Sequence, residues 1–150
     1  MIRQFVILSA LLAVVSIPTR AQQSLAPIKA SDLKHHTLQA GGLDLTIAKL
    51  DDYVVVSEDV RDTGVGYLDI RLTNPTNDFL QFVPSKFVIV GRDDNQASIG
   101  YERHDLDRVV PQEVSVAPHA KTQMRYNLTA RIRFPAVVYY DGKKIARVTS

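Results

Sequence analysis

The chain has 150 residues, 18 Lys+Arg against 16 Asp+Glu, a formal net charge of +2, and neither cysteine nor tryptophan. Without cysteine it has no disulfide, thiol nucleophile, Cys-ligated zinc or lipid-modified cysteine, so an exported form must be held by its core alone. A charge this close to zero gives no electrostatic case for nucleic acid or an anionic membrane as a partner.

The first segment, MIRQFVILSALLAVVSIPTRAQQ, places Arg3 before an apolar run over Phe5–Pro18, followed by small residues at Thr19 and Ala21. That layout predicts a secretory signal peptide over residues 1–21, cleaved after Ala21. The run is shorter than the roughly 20 residues of a bilayer-spanning helix. Loss of Arg3 and Arg20 leaves 16 basic residues against the 16 acidic ones, all of which follow Ala21.

Residues 22–42, QQSLAPIKASDLKHHTLQAGG, are polar and unpatterned, which predicts a flexible N-terminal arm leading into one domain over 43–150. From Leu43 the pattern is that of strands. Leu43, Leu45 and Ile47 alternate with Asp44, Thr46 and Ala48, and Tyr53–Val56 is a short apolar run. In VGYLDIRLTN (65–74), Leu68, Ile70 and Leu72 point one way and Tyr67, Asp69, Arg71 and Thr73 the other. NPTND (74–78) is a turn, since Pro75 cannot donate to a ladder. Phe87–Val90, the turn GRDDN (91–95) and a short strand near Ala97–Tyr101 make a hairpin. The charged stretch 102–112 suits a loop or a single helical turn at Asp105–Val109, and Val114–Val116 is a brief strand. Thr122, Met124, Tyr126 and Leu128 then alternate with Lys121, Gln123, Arg125 and Asn127. The stretch AVVYYDGKKIARV (136–148) predicts a closing hairpin, its Asp141-Gly142 matching a type I′ turn. About seven short strands with no long helical period predict an all-β, antiparallel β-sandwich, with a small closed barrel as the alternative.

From Tyr67 to Ser150 the strand YLDIRLTNPTND, the hairpin KFVIVGRDDNQASIGY, the segment VSVAPHAKTQMRYNL and the final hairpin form a sequence of features. Together they resemble a secreted bacterial immunoglobulin-like β-sandwich domain family of unknown function. Phe87, Asp93 or Asp94, and Tyr101 sit where that family's hairpin pattern wants them. Asn95 stands for the expected turn glycine, and Pro118-His119 for a Pro-Gly. The resemblance implies an immunoglobulin-like fold and brings no catalytic residues.

Candidate chemistry is thin. An EF-hand beginning at Asp93 would need oxygen ligands at alternate positions, Gly at position 6 and Glu at position 12, and the chain offers Ala97, Ser98 and His104 instead. A looser calcium site from Asp93, Asn95 and Asp105 would require distant segments to converge. The adjacent His35 and His36 would point to opposite faces of a strand, and His104 and His119 are isolated. No Gly-x-Ser-x-Gly elbow is present, and the dipeptide His104-Asp105 does not supply a triad, whose members must converge in space. Asp51-Asp52, Asp93-Asp94 and the Asp105/Asp107 pair suit polar loops better than a glycosidase cleft. Lys121, Arg125, Arg131 and Arg133 suit a solvated outer sheet face, with Tyr126 on the other side. The sequon Asn127-Leu128-Thr129 is a coincidence if the chain is bacterial.

The sequence therefore predicts no enzyme, no catalytic, cofactor-binding or metal residues, and no cofactor. It predicts an exported, periplasmic or extracellular protein acting as a binding or assembly module of the bacterial cell envelope. A secreted inhibitor or chaperone-like factor working through an edge strand is the alternative. The expected partner is another envelope or extracellular protein, not nucleic acid, with no membrane span after signal removal. Its loops at 74–84, 102–112 and 117–121, or a sheet edge, would carry contact.

Overall fold

The computed structural model describes residues 25–51, 67–103, 108–109 and 112–150. The predicted signal peptide, the run Tyr53–Val56, and His104, Asp105 and Asp107 lie outside the described residues, and so does the suggested helical turn apart from its last two positions.

The strands are β1 (Pro27–Lys29), β2 (Leu38–Ala40), β3 (Leu43–Asp51), β4 (Tyr67–Thr73), β5 (Leu80–Phe82) and β6 (Phe87–Val90). They continue with β7 (Gln96–Arg103), β8 (Arg108–Val109), β9 (Val114–Val116), β10 (Lys121–Leu128), β11 (Ala136–Tyr140) and β12 (Lys143–Thr149). Two 3₁₀ helices, Ala30–His35 and Pro84–Lys86, complete the described elements. The protein is all-β, as the period-2 pattern predicts. Twelve described strands replace the expected seven or so, because β1, β2, β5 and β8 are too short to show a period of their own.

The strands join in one hydrogen-bonded path, β1-β12-β11-β6-β7-β10-β4-β3-β2, with β8 on β7 and a separate β5-β9 pair. All pairings among the described residues are antiparallel except β1 with β12, which is parallel, so the sheet is mixed. The bend lies in β7, whose first part, Gln96–Ser98, pairs with β6 and whose second part pairs with β10. A register shift opposite Asn127/Leu128 marks the switch, and Thr129 clasps it: its N–H donates to the Ser98 carbonyl and its Oγ1 accepts from the Ser98 N–H, both at 2.9 Å. Bulges of this kind turn a strand from one partner to another. The resulting curl brings β12 alongside β2.

The curl encloses one core. Leu43, Leu45 and Ile47 of β3, Leu68, Ile70 and Leu72 of β4, and Tyr126 of β10 are all fully buried, as their alternation requires. Full burial of an aliphatic side chain of this size contributes about 1.5–3 kcal/mol. Phe82 ties the two halves of the sheet, with its ring 6.5 Å from Tyr126 on β10 and 5.3 Å from Tyr140 on β11.

Residues 27–40 do not form the loose arm that their polar composition predicts. They supply β1, the first 3₁₀ helix and β2, and bury Leu33, Leu38 and Ala40 in the core. The physical reason is the Gly41-Gly42 turn. Both glycines have positive φ, 60° and 87°, which suits the two-residue hairpin that folds β2 back on β3. The closing hairpin behaves as its sequence predicts, with positive φ at Asp141 (50°) and Gly142 (73°).

Candidate functional site

Two of the three predicted loops converge. Asn74 sits fully buried at the end of β4. Its backbone N–H donates to Ala120 O (3.0 Å), and its Nδ2 donates to Val116 O (2.9 Å) and Asp78 O (2.7 Å). Its Oδ1 accepts from the N–H and the hydroxyl of Thr76, the Asx-turn arrangement that an Asn before Pro-Thr favours. The facing turn, Ala117–Ala120, places Pro118 before His119, whose φ of 57° is what the third residue of a type II turn requires. His119 thus holds a left-handed conformation that glycine adopts most readily, and its Nε2 lies 2.8 Å from Asn77 Oδ1. Phe79 projects from this end, 66% exposed. The third loop, 102–112, lies mostly outside the described residues.

The GRDDN turn is a backbone reversal. Gly91 N–H donates to Asn95 O and Asp94 N–H to Gly91 O, with φ of 58° at Asp94. The left-handed position therefore falls on Asp94 and not on Asn95, an exchange that Asp tolerates as Asn does. The Asp93 carboxylate faces Arg133 at 3.9 Å. Among the described residues no group of three or more His, Asp or Glu side chains gathers to hold a metal, and Asp105 is not described.

The basic residues divide. Lys121 and Arg125 lie on the exposed side of β10, whereas Arg131 and Arg133 belong to the connection that follows it. Arg125 grips Asp69 across the strands through Nε (2.6 Å) and Nη2 (2.8 Å). The hydrogen bond to Asp69, and then its charge, raise the Arg125 pKa. An arginine pKa moved upward keeps its stabilising contribution throughout the range below the unfolded-state value, so the Arg125 guanidinium adds no pH dependence near neutrality. Arg125 shields Asp69, which is only 6% exposed although the alternation places it outward. Tyr67 also lies on this face, beneath Lys49 at 5.1 Å and Arg125 at 5.4 Å. An aromatic is therefore interleaved with these cations. Tyr126, the aromatic on Arg125's own strand, is in the core; the register of β4 on β10 is what reveals Tyr67. Asn127 is 2% exposed within β10, so its sequon is not accessible for glycosylation.

The feature that sequence reasoning missed is a groove of about 430 Å³ at the seam of the curled sheet. Leu25, Ala26, Ile28, Leu38, Ile145 and Ala146 line it with apolar surface, and the exposed His36, Thr37, Gln39, Lys143 and Lys144 surround that surface. One wall is β2, which among the described residues pairs only with β3. The other is β12, whose second edge is occupied by β1 at Arg147–Thr149 alone, leaving Lys143–Ala146 without a strand partner among the described residues. A register shift on the β11 side leaves Ile145 as the extra residue of a bulge, half-buried at the groove. Among the described residues no carboxylate lines the groove. Asp44 is engaged by Gln39 Nε2 (2.7 Å) and Asp141 by Lys86 (3.2 Å), and no described carboxylate pairs with Lys143 or Lys144. His35 and His36 are both exposed, and only His36 reaches the groove.

No family model and no curated protein matches the chain. Among solved structures, the yjhA protein from Bacillus subtilis is similar at 13% identity and a TM-score of 0.49, over 75% of this chain and 96% of that one. A likeness at that level carries no argument about function. Among the described residues no helix is long and apolar enough to cross a membrane.

Proposed function

We propose that this chain is an exported, non-catalytic binding or assembly module of the bacterial cell envelope, with an immunoglobulin-like sandwich whose two layers share β7. The observation that carries the reading is the groove between two open strand edges, an apolar concavity with backbone donors and acceptors at its walls. Such a site recognises another chain without any reacting group. The Phe79 end offers a second, smaller contact surface beside the tightly bonded Asn74 turn.

The partial openness of β12 also favours the second reading, a secreted inhibitor or chaperone-like factor that adds its edge to a client. The two separate by stoichiometry: an assembly module holds one partner in a fixed complex, whereas a chaperone-like factor delays aggregation of many unfolded exported proteins. Crosslinking in the intact envelope, followed by recovery of the protein and sizing of the complex, tests the leading reading. A discrete complex is expected. A chain recovered alone and monomeric from every envelope fraction would overturn it.

A further inference from the structure

Resting on the binding-module reading, the geometry points to the occupant of the groove: an extended strand of a partner protein that carries carboxylate side chains and pairs with the open edge of β12 at Lys143–Ala146. Three features of the molecule support this choice. First, the edge already accepts a strand, since β1 pairs in parallel with its other part, Pro27 opposite Arg147 and Lys29 opposite Thr149. Second, the four-residue opening spans about 13 Å at ~3.3 Å per residue, enough to pair with four residues of an extended segment. Apolar surface from Leu25, Ile28, Leu38 and Ile145 lies beside it, available to alternate side chains of that segment.

Third, the charge is one-sided. Lys143 and Lys144 flank the opening, no carboxylate among the described residues lines it, and the nearby Asp44 and Asp141 are engaged by Gln39 and Lys86. Lysines and a bulge are also how an edge is defended against indiscriminate pairing. Here the two roles coincide. The ammonium groups repel a cationic strand, including the Lys143–Lys144 edge of a second copy. They reward only a strand whose carboxylates meet them, which is specificity by exclusion as well as by attraction.

The test uses the ¹⁵N-labelled exported protein and two blocked pentapeptides of one pattern, Val-Glu-Val-Glu-Val and Val-Lys-Val-Lys-Val. The glutamate peptide is expected to shift the amide signals of Lys143–Ala146 and the neighbouring Leu38–Ala40, and the lysine peptide is expected to leave them in place. In the double variant K143E/K144E the preference should reverse, with the glutamate peptide weakened by roughly tenfold or more. A glutamate peptide N-methylated on the amides facing β12 should lose binding, while methylation of the opposite edge should not, because only strand pairing uses one edge.

Equal response to both peptides, indifference to N-methylation, or shifts confined to another surface would overturn the inference. So would slow hydrogen exchange at the outward amides of Lys143–Ala146 in the protein alone, which would mean that its own N-terminal residues or a second copy already covers the edge. The same double variant separates this inference from the broader reading. If K143E/K144E still forms the envelope complex, the module reading stands and the acidic-strand inference falls.

Discussion

The β3–β4–β10 ladder and the β2/β12 seam are made of similar strands, yet they differ in how their backbone is used. β4 is paired along both edges from Tyr67 to Thr73, to β10 on one side and β3 on the other, and its Leu68, Ile70 and Leu72 are fully buried. β12 is paired with β11 from Lys143 to Val148 apart from the bulge at Ile145, and on its other edge, among the described residues, with β1 only at Arg147–Thr149. Saturated strands can only stabilise, because any new partner would have to displace an old one. Unsaturated edges can take a partner without breaking anything. On the binding-module proposal, the difference between the two regions is a division of labour between holding the fold and meeting another molecule.

Substitutions should expose that division, beginning with the core and the ladder that hold the fold. Phe82→Ala, at the ring that joins the two halves of the sheet, is expected to cost about 3–5 kcal/mol in denaturant unfolding. Asn74→Ala removes a buried side chain that donates to two carbonyls and accepts from Thr76, and should cost roughly 2–3 kcal/mol by the same measurement. Asp69→Asn weakens the bidentate grip of a half-exposed Arg125 and should cost about 1–2 kcal/mol, a loss largely insensitive to salt because Asp69 is buried. At the seam, Gly142→Ala forces a side chain into φ of 73° and should cost roughly 1 kcal/mol in a thermal melt. K143E/K144E should change stability by no more than about 0.5 kcal/mol while weakening the glutamate peptide roughly tenfold or more. A seam variant as costly as Phe82→Ala would erase the distinction between the two regions.

The ladder was legible in the chain because its strands are long enough for alternation to show. Leu68, Ile70 and Leu72 of β4, and Met124, Tyr126 and Leu128 of β10, are all buried as the period-2 pattern requires. The Asp141-Gly142 turn was legible for a chemical reason, the tolerance of both residues for positive φ. The seam was not legible. β1 and β2 have three residues each, and their polar surroundings hide Ile28, Leu38 and Ala40. A local signal for β2 did exist, Gly41-Gly42 between Leu38/Ala40 and Leu43/Leu45, which is a hairpin signature. Nothing local announces that β1 lies against β12, since that pairing joins the two extremes of the described chain. The groove depends on it, so no reading of spacing along the sequence would find the groove. The turns at 74–78 and 117–120 were legible from Asn74-Pro75 and Pro118, but nothing in the sequence announced that the two converge, which the hydrogen bonds from Asn74 to Val116 and Ala120 reveal.

Hydrogen exchange compared across β4 and β12 reads out whether the seam of this protein is open. The outward amides of Lys143–Ala146 are expected to exchange orders of magnitude faster than those of β4, and to slow when the glutamate peptide is added. If they are as protected as β4 in the protein alone, the seam is not open and the account of this molecule as a strand-accepting module is contradicted.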